Sequence, residues 1–328
     1  MFRTRLTDLL GITVPVIGAP FGPWPQVEVA AAVCAAGGLG SLGTAVTPLP
    51  TLRAQWARLR ALTDRPFAIN HTARPLDEEA FAATLAFRPD VISFHLAVCP
   101  DLIARAHDAG IPWVQQVVSR RQAEQALAAG ADVLVAQGSE AGGHSGAVGG
   151  LVLLPQVADL AGDVPVALAG GVADGRGLAA ALSLGASGVV LGTRLLASSE
   201  MTAHPEWKQR IIESDAEDAV QVAHSDVVMP PSTRPSAPCQ PRVLRTPLAD
   251  ALTERPETVD GAVVGSALMA AIAHGRGDEF LPFAGQTVGL IDDIRPAGQI
   301  IADLLAGAEA ALAKAASAVR SPVAHAGA

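Results

Sequence analysis

The chain has 328 residues, 50% of them hydrophobic, so it can bury a sizeable core, and wholesale disorder is excluded. Its formal charge is −9, with no basic cluster, which excludes a nucleic-acid partner. Three cysteines, Cys34, Cys99 and Cys239, have no metal-ligand spacing and leave one over from any pairing; a reducing, cytoplasmic setting is expected.

The first residues, MFRTRLTDLLG, hold no apolar run of signal-peptide length. Positions 14–19 are an apolar run closed by Pro20 and Gly22, the first expected strand. Positions 26–36 have helical periodicity and stop at Gly37-Gly38, a natural C-cap. The alternation then continues. Strands are expected at 39–42, 67–70, 91–94, 112–118 and 133–136, and helices at 51–62, 77–87, 101–109 and 120–129. A strand at 164–168 runs into Ala169-Gly170-Gly171 and a helix at 175–184. The last strand, 188–191, is followed by Gly192-Thr193. The most apolar stretch, 178–197, is interrupted by Gly185, Gly188, Gly192 and Arg194, so no membrane span is expected.

Eight strands alternating with helices mean parallel strands joined by right-handed crossovers. They predict an α/β fold, a (β/α)₈ TIM barrel over residues 1–200. An open doubly wound sheet is the alternative, but it would place its glycine turn after the first strand. From Met201 the pattern changes. A helix at 204–213, a proline-rich irregular connection at 232–241 and a helix at 263–273 read as a small insertion over 201–290 that covers the active site. Residues 291–328 supply a long helix at 300–319 that packs back on the barrel, then a frayed tail after Ser321.

In such a barrel the chemistry lies on loops at the C-terminal ends of the strands. The run Gln137–Gly146, QGSEAGGHSG, opens a glycine cradle after the sixth strand. It cannot continue a strand, and it sets one ionisable ring, His144, inside the cradle. His144 is either a proton acceptor or an ordinary polar loop residue. Gly170-Gly171, taken to open the helix after the seventh strand, and Gly192-Thr193 offer backbone amides and a hydroxyl at the usual phosphate position of the fold. A phosphate there would let a flat ring lie across the mouth, its edge bonded by Asn70 and Gln116 and its approach allowed by Gly142-Gly143. FMN meets that description. No pair of carboxylates or histidines has metal-ligand spacing. His71 and His95, at strand ends, are secondary candidates, and His107 is expected to be an exposed helix residue.

The run Gln137–Gly146 resembles the signature of the nitronate monooxygenase (2-nitropropane dioxygenase) family. PVIGAP at 15–20, AAGGLGSLG at 35–43, VISFH at 91–95, ALAGGVADGRG at 167–177 and LGTRLLASSE at 191–200 add to the resemblance. It implies an FMN-dependent barrel that oxidises alkyl nitronates with O₂ to a carbonyl compound and nitrite. His144 would be the base, and Ala19, Pro20, Phe21, Asn70, Gln116, Gln137, Gly142, Gly143, Ala169, Gly170, Gly171, Gly192 and Thr193 would form the cofactor site. The partners implied are a small nitronate or nitroalkane and O₂, with no nucleic acid and no membrane; a homodimer is compatible with the sequence. Phe21, Gly22-Pro23-Trp24 and His71-Thr72 depart from the family pattern and bear on the substrate more than on the cofactor. An FMN reductase that uses NAD(P)H on a quinone or an enoyl thioester would carry a similar loop and is the competing activity.

Overall fold

Short β-branched runs bounded by caps assemble here as a ring. A computed structural model describes residues 2–24, 26–230, 232–235 and 238–319. Its barrel strands are β1 (Val16–Gly18), β2 (Gly40–Gly43), β3 (Phe67–Thr72), β4 (Val91–His95), β5 (Trp113–Val117) and β6 (Val133–Gln137). After a small strand β7 (Gly143–Ser145) come β8 (Val166–Ala169) and β9 (Gly188–Leu191). The eight-stranded sheet is parallel, in the order β1-β9-β8-β6-β5-β4-β3-β2. Its two ends meet in a parallel bridge between Ile17 and Leu39. There the Gly18 N–H donates to the Leu39 carbonyl, and the Leu39 N–H to Val16, both at 2.9 Å. The fold is therefore a TIM barrel.

Period-two alternation fills both faces with apolar groups, as parallel strands buried on each side require. Ile17, Leu39, Ala68, Val114, Val135 and Ala167 form one cluster with Leu6, Leu10 and Ile12. The helix Arg5–Leu10 thus supplies side chains to the barrel interior. Gly188 admits Leu6, because a Cβ there would lie 2.5 Å from its Cδ2. The alternate positions Ile92, Phe94, Trp113, Leu134 and Leu168 join the larger core beneath the helices.

Several elements differ from expectation. Gly150–Ala161 is a helix in a stretch where Gly149, Gly150 and an internal Pro155 mask the periodicity. Gly143–Ser145 is extended after all. It pairs antiparallel with β11 (Gln240–Leu244), which pairs in turn with β10 (Ala219–Gln221), so the glycine loop returns as the edge of a second sheet. The proline-rich connection accordingly ends in a strand at Gln240; its residues 236–237, and the tail after Ser321, lie outside the described residues. The last helix, Ala297–Ala318, packs on Gly175–Ser183; a Cβ on Gly175 would meet the Ala308 nitrogen at 2.2 Å. No helix among the described residues is long and apolar enough to cross a membrane.

Candidate active site

Polar residues appear where the inward-facing rows of β3 to β6 reach the C-terminal end of the barrel. Asn70 on β3 donates its Nδ2 hydrogen to the Ser93 hydroxyl on β4 at 2.9 Å. Gln116 on β5 donates to the Gln137 carbonyl oxygen on β6 at 2.7 Å. The second bond leaves, within that pair, a carbonyl on Gln116 and an N–H₂ on Gln137. Donors and acceptors so placed suit the edge of a flat heterocycle.

A cavity of about 270 Å³ opens above this layer. Ala19, Pro20 and Phe21 wall it beyond β1, and Asn70, Gln116 and Gln137 form the floor. Gly142, Gly143 and His144 stand on one side, and Ala169, Gly170, Gly192 and Thr193 lie beyond β8 and β9. Gly171 is exposed and does not reach the wall. Residues beyond 201 close the cavity with an apolar face that includes Trp207, Met229, Leu268 and Phe283. Trp24 packs on Trp207 with centroids 5.0 Å apart and edge-on to Phe283 at 6.0 Å.

The glycine turns differ in detail from expectation. Gly170 and Gly171 take φ of +91° and +72°, and the following helix starts only at Gly175, with Asp174 as its N-cap. The pair therefore does not open the helix; turn amides, not a helix dipole, are what it offers. A Cβ on Gly170 would lie 2.8 Å from the Ala141 nitrogen, so this turn and the His144 loop touch backbone to backbone. Thr193 accepts the Gly285 N–H at 2.8 Å, which leaves its own O–H to donate.

The His144 loop is pinned at several points. Both Glu140 oxygens accept the Gly150 N–H, at 3.0 and 2.9 Å, so this carboxylate caps a helix. Arg242 donates from Nε to the Ser139 carbonyl at 2.8 Å and from Nη1 to Ala219 at 2.5 Å. The His144 ring lies 6.0 Å from the Phe283 ring, and its Nε2 is buried without a hydrogen-bond partner among the described residues. Burial, then the neighbouring His95, then the charge of Arg74 push the His144 imidazole down to about 3. It is neutral near pH 7. His95 also lines the cavity and is lowered by burial to about 4.

The other histidines separate cleanly. His71 points out of the barrel between Thr84 (2.9 Å) and Thr44 (3.2 Å). His107 is exposed and pairs with Asp132 at 2.9 Å. Thr72, singled out with His71 in the sequence, lines the cavity, whereas the sequence alone did not single out Ser93 or Arg74. Counting in twos from Asn70 along β3 points to Thr72 and then to Arg74. Among the described residues no cluster of three or more His, Cys, Asp or Glu is placed to hold a metal ion.

A family model described as nitronate monooxygenase matches residues 3–84 and 76–307. The chain belongs to the nitronate monooxygenase family. It is an oxidoreductase of that family, and its relatives carry more than one activity. A nitronate monooxygenase of Pseudomonas aeruginosa is 31% identical, over 92% of this chain and 98% of the relative. A (3aS,4S,5R,7aS)-5-hydroxy-7a-methyl-1-oxo-octahydro-1H-indene-4-carboxyl-CoA dehydrogenase of Mycobacterium tuberculosis is 38% identical, over 76% of this chain and 68% of the relative. Among solved structures, FabK from Thermotoga maritima superimposes with a TM-score of 0.87 at 34% identity, covering 97% of this chain and all of that one.

Proposed function

We propose that the protein is an FMN-dependent nitronate monooxygenase that oxidises small alkyl nitronates and nitroalkanes with O₂ to a carbonyl compound and nitrite. The observation that carries this reading is the buried, unpartnered Nε2 of a neutral His144 facing a cavity with a polar floor and an apolar roof. When bound, FMN would supply the redox chemistry between the substrate carbon and O₂.

The residues fit that group. Gln116, Gln137 and Asn70 would bond the ring edge, and the Gly142-Gly143 backbone would let it lie close. The amides of Gly170 and Gly192, with the Thr193 hydroxyl, would hold the phosphate; Gly171, expected there too, borders that turn from outside.

The protein's own part is proton handling. A neutral imidazole can accept the α-proton of a nitroalkane, and the anion formed beside it favours the imidazolium. The apolar roof of Trp24, Trp207 and Phe283 excludes water while charge builds on the substrate.

A second reading has support in the relative that acts on a carboxyl-CoA compound: an NAD(P)H-dependent reductase of quinones or enoyl thioesters on the same scaffold. The His144→Ala variant separates the role from the scaffold. It should keep a bound yellow cofactor and lose oxidation of neutral nitroalkanes; wild-type turnover by that variant refutes the assigned role.

A further inference from the structure

The loop after β3 carries a guanidinium that nothing above uses. Arg74 lines the cavity, and its Nε and Nη1 are buried without hydrogen-bond partners among the described residues. Buried donors left unmade are costly and mark a site that awaits an acceptor. Its backbone is held firmly. The Arg74 N–H donates to the Thr72 hydroxyl at 3.2 Å, and the preceding carbonyl, Ala73, accepts the Thr233 N–H at 2.8 Å. Asp77, the next carboxylate along the chain, accepts the Ala80 N–H at 2.9 Å. Arg234, on the same covering segment as Thr233, pairs with Glu78 and Asp101, each at 3.1 Å. Cys239, whose thiol burial raises to about 11, is neutral beside it.

The barrel order fixes which ligand this charge faces. In the closed ring, β3 lies four strands from β8 and three from β9. Arg74 is thus across the mouth from the glycine turns assigned to the phosphate, on the side where its charge reaches His144. We propose that Arg74 is the anion receptor of the substrate pocket, holding the charged oxygens of a small planar monoanion. It would bind a substrate that arrives ionised, and it would steady the anion left when His144 removes a proton from a neutral one. This inference rests on the proposed reading only for the identity of the anion; the receptor itself takes a nitronate or a carboxylate alike.

The test uses the purified holoprotein and an isosteric pair, propionate and propionamide, titrated by calorimetry. Wild type should bind propionate at least about tenfold more tightly than propionamide. R74Q should erase that preference, R74K should keep most of it, and the affinity for FMN should stay within about threefold. In oxygen-uptake assays R74Q should raise KM for ethyl nitronate about 10- to 100-fold while KM for nitroethane stays nearly constant. Equal affinities in the wild type, an undiminished preference in R74Q, or loss of FMN in place of propionate overturns the proposal. Propionate selectivity that depends on Arg74, in a protein that oxidises no nitronate, would leave the receptor standing and remove the proposed activity.

Discussion

His144 stands directly opposite Pro241 in the antiparallel pairing of β7 with β11. The proposed base is therefore carried on a strand edge, not on a free loop. The next residue, Arg242, ties that edge to Ser139 and Ala219. Burial lowers its guanidinium from the ordinary range, opposed by the charge of Glu140. Replacing Arg242 with Met should cost about 2–4 kcal/mol of stability, since two charge-assisted bonds go and two carbonyls each lose a donor. Turnover should fall more than cofactor content. Urea denaturation and the flavin-to-protein ratio check this; an unchanged midpoint contradicts it.

Stability should depend on pH through His71. Its Nε2–H donates to Thr84, because the Thr84 hydroxyl hydrogen goes to the Ala80 carbonyl at 3.0 Å. Burial lowers the His71 imidazole from 6.5 to about 3. Between those values the unfolded chain binds a proton that the folded chain refuses. Stability is then complete above pH 6.5 and declines as pH falls, by ~1.4 kcal/mol per unit from this residue. Urea midpoints at pH 7.5, 6 and 5 should decrease in that order and decrease less in His71→Asn. Equal slopes for the two proteins would rule out the assignment.

The floor pair gives a binding prediction. Gln116→Ala removes the donor to Gln137 and one proposed edge contact to the ring. FMN affinity should fall about tenfold, equivalent to ~1.4 kcal/mol. Spectral titration reads this directly, and an unchanged dissociation constant would place the ring elsewhere.

Gly170 gives a steric one. An alanine there would need φ of +91° with its Cβ 2.8 Å from the Ala141 nitrogen. Gly170→Ala should lose both cofactor and stability, the latter by more than the ~1 kcal/mol of a left-handed alanine alone. Gly143→Ala, at φ +72° with nothing within 4 Å, should cost only about that 1 kcal/mol. Comparable losses in the two variants would contradict the packing described.

The barrel was legible because most of its strands are buried on both faces and show as apolar runs such as Val133–Ala136, stopped by a cap or a turn. Glycines mark the turns and made the cavity walls visible from spacing alone. What stayed hidden depends on pairing across long separations. Gly143–Ser145 has no strand signature of its own and becomes extended only because Gln240–Arg242 lies beside it. Ser93 and Arg74 are unremarkable in sequence; register and the barrel's closure set Ser93 against Asn70 and bring Arg74 to the cavity. Gly171 looked equivalent to Gly170, yet the positive-φ turn sends one inward and the other to solvent.

The measurement that bears most directly on the central claim is steady-state oxygen consumption by the purified, FMN-loaded protein. Ethyl nitronate should drive rapid O₂ uptake with nitrite formed, while NADH and NADPH are oxidised negligibly under air with quinone present. Fast NAD(P)H oxidation with no nitronate-dependent O₂ uptake would contradict the account and assign the chain to the reductases of its family.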